Sequence, residues 1–352
     1  MPVRSAVGLD IGTSSVRAAQ LSFGKGGARL ERFGQLALPD GAVRDGEVLD
    51  PEVVGDTIKR LWSLTRFRTR RVAVGVANSK VIVRQVDLPW LPAHEMRASL
   101  PFQVQDVLPM PVDSALLDFY PLEESSDEPA RTVRGLLVAA SREMVNGALA
   151  AVKRAGLRPT SVDLSSFAVL RSLAQPDHLG LQSDAEALVD VGSRVTNVVV
   201  HQGGVPRFVR ILLAGGQDVT IAIADRIGLP AEEAESLKHR VGSPEAASGG
   251  VESTAEVVVD TAVSSFVDEV RGSLDYYSSL GGAPLSRVVL TGGGSRLHGL
   301  ARHLSLATRL PVEPGSPFSH LELGRTGLTS DQLAFVEPLA VVSVGLALGA
   351  AA

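Results

Sequence analysis

The chain has no cysteine and few aromatic residues, and it carries no excess of basic charge. Among its 352 residues there is no Cys, aromatic residues make up 4%, and the formal net charge is −5. The lack of cysteine excludes disulfides and thiolate metal sites. A protein that binds a phosphate backbone normally concentrates Lys and Arg on one face, so no nucleic-acid partner is expected. The basic cluster from Arg66 to Arg71 is interpreted as a solvated loop.

Long hydrophobic runs are lacking as well. The most apolar stretch, Pro338 to Ala352, has 15 residues, fewer than the roughly 20 that cross a bilayer, so we expect a buried helix there. The first residues lead directly into a strand without an apolar segment of secretory length, and no signal peptide is expected. Hydrophobic residues nevertheless make up 45% of the chain, which is enough for a sizeable core in two lobes.

What the chain does have is a set of glycine-bearing turns, the first of which lies in VGLDIGTSSVR. A strand-like run there ends in Asp10 and Gly12, followed by the hydroxyl residues Thr13, Ser14 and Ser15. Gly12 permits a tight turn whose N–H groups can converge on phosphate oxygens. Asp10 can hold a water-coordinated Mg²⁺. Taken alone, the pattern also fits an ordinary β-hairpin with a polar turn.

The same pattern recurs about half a chain later, in LVDVGSRVTNVVV. Asp190 and Gly192 follow a strand, and the hydroxyl or amide residues Ser193, Thr196 and Asn197 precede the next one. Asp190 is therefore a second candidate to hold Mg²⁺ through water. Two such hairpins suggest a duplicated core.

A third turn, LTGGGS, lies between the strand-like SRVVL and a helix-like segment from Leu297 to Thr308. It consists of Gly292, Gly293, Gly294 and Ser295. Its N–H groups and the N-terminus of the following helix would point at one place and favour an anion there. Three turns in this order along one chain predict a nucleotide-binding protein.

With these turns the chain resembles the actin-like ATPase superfamily, whose phosphate loops match the Asp10 and Asp190 hairpins and whose adenosine loop matches Thr291 to Ser295. Within it, the chain is identified as a member of the PilM family of type IV pilus assembly proteins, with a more distant similarity to the division protein FtsA. Besides the loops, the resemblance covers Gly216 to Lys238, Val270 to Leu280 and Glu337 to Gly349. FtsA-like proteins carry a membrane-targeting tail after the last helix, whereas this sequence stops there, which favours PilM.

The resemblance implies an α/β fold, the two-lobed actin-like (ribonuclease H-like) ATPase fold with a small α+β insertion. The expected units are a first-lobe core at 1–79, the insertion at 80–164, a return helix and hinge at 165–184, the second lobe at 185–336 and a C-terminal helix at 337–352.

The patterns of single elements agree with these units. Asp50 and Pro51 are typical of a helix start. In the insertion we expect a helix from His94 to Val107 and a last strand from Pro159 to Leu164. The stretch from Gln175 to Asp184 is expected to contain the hinge. The acidic loop from Glu123 to Pro129 is assigned no role. In the second lobe, a Gly- and Ser-rich loop from Ser243 to Glu256 is expected before a long helix from Val257 to Leu280.

The resemblance also implies ATP with Mg²⁺ as the ligand. Glu235 and Lys238 share a helical face and match a pair that contacts the ribose and adenine edge, although an intrahelical ion pair would look the same. Arg271 is a further candidate to face the base. Arg17 stands where the superfamily has lysine, and its guanidinium can still hold an oxyanion. Binding is thus expected with at most slow hydrolysis, and no catalytic residue is identified.

A cytoplasmic adaptor beneath the inner membrane is the role that the resemblance implies. It would bind the cytoplasmic N-terminal tail of a PilN-like membrane protein, self-associate, and contact the pilus motor ATPase and platform protein, reaching the membrane only through its partner. In PilM and FtsA the small insertion contacts other proteins. Two alternatives are a small-molecule kinase, with Asp163 as the nearest candidate base, and a filament-forming protein like FtsA.

Overall fold

The first lobe begins with a meander of three antiparallel strands. The structure is a computed structural model that describes residues 4–125, 131–174, 184–242 and 250–351. The first elements are, in chain order, β1 (Arg4–Ile11), β2 (Ser15–Gly24), β3 (Gly27–Ala37), β4 (Val43–Arg44), β5 (Glu47–Val48), α1 (Pro51–Thr65) and β6 (Arg71–Val76). The predicted start of α1 is confirmed, because the Asp50 carboxylate accepts hydrogen bonds from the N–H groups of Glu52 and Val53, both at 3.0 Å.

The insertion after β6 is a three-stranded antiparallel sheet with one helix beside it. Its elements are β7 (Val81–Pro89), α2 (Ala93–Gln103), a 3₁₀ turn (Val112–Ser114), β8 (Ala115–Ser125) and β9 (Thr132–Ser141), in the spatial order β7-β9-β8. The expected helix from His94 to Val107 is too long. Pro101 has no N–H to donate within α2, and the helix ends at Gln103.

Two elements expected in the insertion belong to the first lobe by their contacts. After β9 come α3 (Arg142–Arg154), β10 (Arg158–Leu164) and α4 (Ser165–Leu173). β10 pairs in parallel with β6, and Ala151 and Val152 of α3 are buried in one cluster with residues of α1. The expectation that the strand from Pro159 to Leu164 closes the insertion was therefore wrong. The apolar pattern of a parallel strand does not reveal its partner, which lies far earlier in the chain.

The second lobe repeats the strand arrangement of the first. Its elements are β11 (Ala185–Val191), β12 (Thr196–Gln202), β13 (Val205–Leu212), α5 (Gly216–Ile227), α6 (Ala231–Arg240), α7 (Val251–Ser279), β14 (Leu285–Thr291), a 3₁₀ turn (Gly293–Arg296), α8 (Leu300–Thr308) and β15 (Val312–Pro314). β1 pairs antiparallel with β2 and parallel with β6, just as β11 pairs antiparallel with β12 and parallel with β14. Strand pairing thus shows the duplication that the two hairpins suggested.

Several predicted connections differ from the structure or lie outside it. α7 starts at Val251, so the expected loop from Ser243 to Glu256 is helical in its last part, while residues 243–249 lie outside the described residues. Residues 175–183 of the expected hinge and residues 126–130, which include the end of the acidic loop, also lie outside them. Leu297 precedes α8, which begins at Leu300.

The C-terminal segment returns to the first lobe. Its elements are β16 (Glu322–Leu323), α9 (Ser330–Val336), a 3₁₀ turn (Glu337–Ala340) and α10 (Val341–Gly349). β16 completes the first sheet, whose order is β10-β6-β1-β2-β3-β16, beside the second of order β13-β12-β11-β14-β15. The helical run Ser330–Gly349 has 20 residues, and its most apolar 18-residue window has a mean hydropathy of 1.7, so by length and composition alone the run could cross a membrane. The run is longer than the 15-residue apolar stretch from Pro338 to Ala352, because it begins at Ser330.

Burial explains why this run is apolar. Of its most apolar window, 56% is buried inside the fold, and α10 packs against α4, β1 and β2. Two glycines permit this approach. A Cβ at Gly8 would lie 2.7 Å from the backbone nitrogen of Ala347, and one at Gly345 would overlap the carbonyl oxygen of Ala168. These are the properties of a core helix.

We predict that Gly345→Ala lowers the free energy of unfolding by about 2 kcal/mol or more, because the new methyl group forces α10 away from α4. Gly272→Ala is the matched control. Gly272 lies inside α7 with no atom within 4 Å of an added Cβ, so the substitution should stabilise the chain by roughly 0.5–1 kcal/mol through helix propensity. Urea denaturation measures both. Equal effects of the two substitutions would contradict the close contact.

Candidate nucleotide-binding site

The turns after β1 and β11 face each other across one small cavity between the lobes. Its volume is about 60 Å³. Most of the residues predicted to hold ATP or Mg²⁺ line it: Asp10, Gly12, Thr13, Ser14, Arg17, Asp190, Gly192, Ser193, Gly292 and Gly293. Residues far apart in sequence thus meet at one place, at the carboxyl ends of β1 and β11.

The two hairpins place their aspartates in the same way. Asp10 lies directly opposite Arg17 in the β1–β2 pair, and Asp190 lies directly opposite Asn197 in the β11–β12 pair. Nη1 of Arg17 is 3.4 Å from Oδ2 of Asp10, and Nδ2 of Asn197 donates to Oδ2 of Asp190 at 3.1 Å. In each hairpin the residue seven positions after the aspartate is therefore its polar partner.

The first amide of each turn differs from expectation. The N–H of Gly12 donates to the carbonyl of Ser15 at 3.0 Å, and that of Gly192 donates to the carbonyl of Val195 at 3.0 Å. These donors close their own turns and are not available to a ligand. An anion in the cavity would instead have to bind the amides or hydroxyls of the following residues, such as Thr13 and Ser193.

The cavity brings two buried carboxylates of like charge together. The pKa of Asp190 is raised from its ordinary value of 3.8 to about 6, chiefly by burial and next by the negative charge of Asp10, against the hydrogen bond from Asn197. The pKa of Asp10 is also raised by burial, although Arg17 lowers it. Such a pair is stabilised by any cation placed between the two carboxylates.

Arg17 supplies the complementary feature. Its Nε atom is buried and has no hydrogen-bond partner among the described residues, so the guanidinium keeps a donor for an anion. Carboxylates and water are the ligands that Mg²⁺ prefers. The residues present therefore fit Mg²⁺ together with a phosphate-bearing ligand.

The triple-glycine turn approaches the second aspartate so closely that no side chain fits. Gly292 has a φ of +85°, and a Cβ there would lie 2.5 Å from Oδ1 of Asp190. Its N–H donates to the carbonyl of Pro338 at 3.1 Å, which joins the turn to the segment before α10. The sequence suggested that a helix follows this turn directly. Instead, the turn passes into a 3₁₀ helix, and α8 begins only after it.

Six predicted site residues do not line the cavity: Ser15, Thr196, Glu235, Lys238, Gly294 and Ser295. Thr196 is buried and its hydroxyl donates to the carbonyl of Ala214 at 2.7 Å, while the hydroxyl of Ser295 donates to the carbonyl of Gly292 at 2.7 Å. Both hydroxyl groups therefore support the backbone around the site.

Glu235 and Lys238 lie one step behind the second turn. Nζ of Lys238 is 2.6 Å from the Glu235 carboxylate and 3.0 Å from the carbonyl of Gly216. The N–H of Gly216 in turn donates to the carbonyl of Gly192 at 3.0 Å. The intrahelical ion pair is thus present, and contact of this pair with a nucleotide stays a prediction.

Sequence reasoning missed the contacts that join the lobes beside the cavity. Ser166 in α4 donates to Oδ1 of Asn197 at 2.8 Å, with both side chains buried. Arg194, at the tip of the second hairpin, contacts Asp45 of the first lobe at 3.2 Å and Asp218 of its own lobe at 2.5 Å. The sequence identified Asn197 only as a polar residue of the second hairpin. Its spacing of seven residues from Asp190, equal to that of Arg17 from Asp10, was the further signal for its position beside the carboxylate.

Two weaker candidates lie elsewhere. Arg271 lines a surface cavity with Asp275, its ion-pair partner at 3.4 Å, and does not line the cavity between the lobes. Asp163, the candidate base of a kinase, is paired with Arg171 and is also absent from that cavity's lining. Neither side chain is placed to act on a ligand held between the two turns.

Comparison with known proteins agrees with this geometry. The model of the family described as type IV pilus assembly protein PilM matches residues 8–351. The chain is also similar to a structure titled PilM-PilN type IV pilus biogenesis complex, with 29% identity, 98% of each chain covered and a TM-score of 0.86.

More distant relatives support the fold. MreB5 of Spiroplasma citri, in a structure bound to ADP, has 13% identity and a TM-score of 0.52 over 97% of this chain and 94% of its own. The cell division protein FtsA of Pseudomonas aeruginosa is 25% identical over 89% of this chain and 83% of its own length, whereas the match to Bacillus subtilis FtsA is 23% identical over 67% of this chain and spans 58% of that protein. The expected actin-like ATPase fold is therefore confirmed.

We predict that Asp190→Asn stabilises the chain in the absence of ligands at neutral pH and removes part of its pH dependence. Because the folded pKa of about 6 exceeds the ordinary value of 3.8, ionisation of Asp190 opposes folding, and stability falls as the pH rises from about 4 through about 6. The difference in unfolding free energy between variant and wild type should grow over this range to roughly 3 kcal/mol at most. Urea denaturation at several pH values measures it, and a difference that does not change with pH would refute the buried charge.

Proposed function

The chain belongs to the PilM family of type IV pilus assembly proteins, and we propose on that premise that it is an ATP-binding adaptor for the cytoplasmic tail of a PilN-like membrane protein. The observation that carries the nucleotide role is the meeting of two aspartate turns and a triple-glycine turn around one cavity. The partner is supported by the similarity to the PilM-PilN complex. In this role the protein works at the cytoplasmic face of the inner membrane.

Different residues of the cavity would contact different parts of the proposed ligand. Asp10 and Asp190 hold Mg²⁺ through water, and Arg17 donates to the phosphates. The metal supplies the positive charge that lets both buried carboxylates ionise together. Gly292 and Gly293 line the cavity, so the backbone of the triple-glycine turn would contact the nucleoside side of the ligand. Because Arg17 replaces the lysine of the superfamily, a change that affects turnover more than binding, we propose ATP binding with at most slow hydrolysis.

Nucleotide binding has to separate the two turns. Pockets for ligands of this size measure about 300–1,000 Å³, whereas this cavity has about 60 Å³, the space of roughly two water molecules. The contact between Arg194 and Asp45, 3.2 Å long, joins the two lobes beside the cavity, and we expect it to lengthen. A ligand that enters therefore changes how the lobes are arranged.

The proposed tail site is a groove in the insertion. A cavity of about 750 Å³ lies between α2 and β8 and is lined by apolar side chains that include Trp90, Met96 and Leu117, with Arg97 and Asp118 among the charged ones. Consecutive residues from Ala115 to Phe119 line it, so the groove follows the outer edge of β8. An extended peptide can pair with such an edge through its backbone while its apolar side chains fill the groove.

β8, which forms one side of the groove, contacts the second lobe through Arg207 and α4 of the first lobe through Phe167. Nη1 of Arg207 is 2.6 Å from the carboxylate of Glu123, and the rings of Tyr120 and Phe167 lie 6.0 Å apart. Phe167 directly follows Ser166, which bonds to Asn197 behind Asp190. Movement of the second hairpin on nucleotide binding would therefore be passed to β8, which couples the two sites.

We predict that Arg17→Gln weakens the binding of Mg·ATP about 10- to 100-fold, because it removes charge-assisted hydrogen bonds to phosphate. Arg17→Lys is the matched control and should keep most of the affinity, since it preserves the charge. Isothermal titration calorimetry of the purified chain measures both. If Arg17→Gln bound Mg·ATP as tightly as the wild type does, the phosphates would not lie beside Arg17.

We further predict that a peptide copying the cytoplasmic tail of the PilN-like protein binds the chain with micromolar or tighter affinity, and that Val112→Asp weakens binding at least about tenfold by placing a charge in the apolar groove. Val107→Asp changes an exposed valine of the insertion that does not line the groove and should leave the affinity unchanged. Titrations with and without Mg·ATP report the coupling. No binding in either state would reject the PilN-tail assignment.

A further inference from the structure

A basic surface lies at the end of the first lobe that is remote from the nucleotide cavity. It is formed by Arg66, Arg68, Arg70, Arg71 and Arg158, all of which are exposed. Arg158 and Arg71 are directly paired at the beginnings of β10 and β6, and the N–H of Arg158 donates to the carbonyl of Arg70 at 2.7 Å. Segments distant in sequence thus bring five guanidinium groups to one surface, which we call the arginine surface.

Arg32 extends the arginine surface from a third segment. It lies on β3, and its guanidinium donates to the carbonyl of Thr65, immediately before Arg66, at 3.4 Å. The interpretation of Arg66 to Arg71 as a solvated loop does not explain why Arg32 of β3 and Arg158 of β10 lie beside it. The fold therefore creates this surface, and the basic cluster from Arg66 to Arg71 in the sequence reveals only part of it.

The arginines of this surface are not used inside the molecule. Across the described ranges, none of the five guanidinium groups makes an ion pair or a hydrogen bond, whereas other exposed arginines pair with carboxylates, as Arg29 does with Glu322 and Arg134 with Asp87. Like charges held together without counter-charges repel each other and weaken the fold. An external anionic partner would remove that cost.

The surface is separate from both sites proposed above. β6 has six residues, so at about 3.3 Å per residue its start lies about 20 Å from the cavity at its carboxyl end. α3 has 13 residues, which places the loop after it about 20 Å from Arg142 at the rim of the groove. Neither the nucleotide nor the tail peptide reaches the arginine surface.

The neighbouring side chains favour a lipid surface over a nucleic acid. Leu64, in the last turn of α1 beside Arg66, is 62% exposed, and an exposed leucine among arginines suits the boundary between headgroups and acyl chains. Base recognition in single strands uses free aromatic rings. The aromatic ring within this segment, Phe67, packs on Trp62 with the ring centroids 4.7 Å apart.

We propose that the arginine surface binds anionic phospholipid headgroups directly, so that the chain contacts the membrane itself as well as through its protein partner. This goes beyond the adaptor role and needs neither nucleotide nor tail peptide. Each arginine near an anionic bilayer strengthens binding about fivefold, and salt weakens the attraction.

The test is sedimentation of the purified full chain with vesicles of phosphatidylcholine alone or mixed with phosphatidylglycerol, at about 0.05 M and about 0.3 M NaCl. We expect binding only to the anionic vesicles, and release at the higher salt. The variant Arg68→Gln/Arg70→Gln/Arg71→Gln should bind at least about tenfold more weakly. The control Arg226→Gln/Arg240→Gln/Arg302→Gln removes the same charge from exposed positions of the second lobe and should bind like wild type.

A lysine variant distinguishes lost charge from lost folding. Arg68→Lys/Arg70→Lys/Arg71→Lys should restore binding, and thermal unfolding of each variant reports whether the fold is intact. Equal loss in the two glutamine triples would mean that net charge, and not this surface, attracts the vesicles. Absence of binding to anionic vesicles at low salt, or tighter binding of a DNA oligonucleotide that the first triple abolishes, would overturn the lipid proposal.

Discussion

Two buried carboxylates facing each other across the contact between the lobes are the constraint around which this molecule is built. Asp10 and Asp190 stand at the ends of equivalent strands, and burial raises the pKa of each. An arrangement that costs folding energy persists only where the surrounding structure holds it. Here that structure is the paired strand opposite each aspartate, the buried hydrogen bond from Ser166 to Asn197, and the close packing of α10 beneath β1.

The same constraint explains why the duplicated hairpins differ at one position. Opposite Asp10 the chain places Arg17, a charged partner with a free buried donor, whereas opposite Asp190 it places Asn197, a neutral partner that is itself held by Ser166. The first hairpin therefore keeps a group for an external anion. The second hairpin is hydrogen-bonded through Asn197 to Ser166 of α4 in the first lobe, so its position depends on how the lobes are arranged.

The sequence predicted correctly those features that depend on interactions between neighbouring residues in the chain. The capped start of α1 at Asp50 and the paired turns after β1 and β11 depend on residues within a few positions of each other. The pairing of β10 with β6, the ion pair between Arg194 and Asp45, and the small volume of the cavity depend on segments that meet only after folding. The site could thus be predicted as a set of turns, but not its Asn197–Ser166 support or its closed state.

The direction of the strands separates the surfaces proposed for different ligands. The carboxyl ends of β1, β6 and β10 lead into the turns and into Ala77 and Ser165 at the cavity, where glycines and free amides suit phosphate. The beginnings of β6 and β10 instead carry Arg71 and Arg158. The groove of the insertion has Arg142, the first residue of α3, at its rim, and the 13 residues of α3 separate the groove from the arginine surface. A ligand at one surface therefore does not compete for space with a ligand at another, and any influence between them has to travel through the packing of the elements, as the contacts of Arg207 and Phe167 with β8 permit.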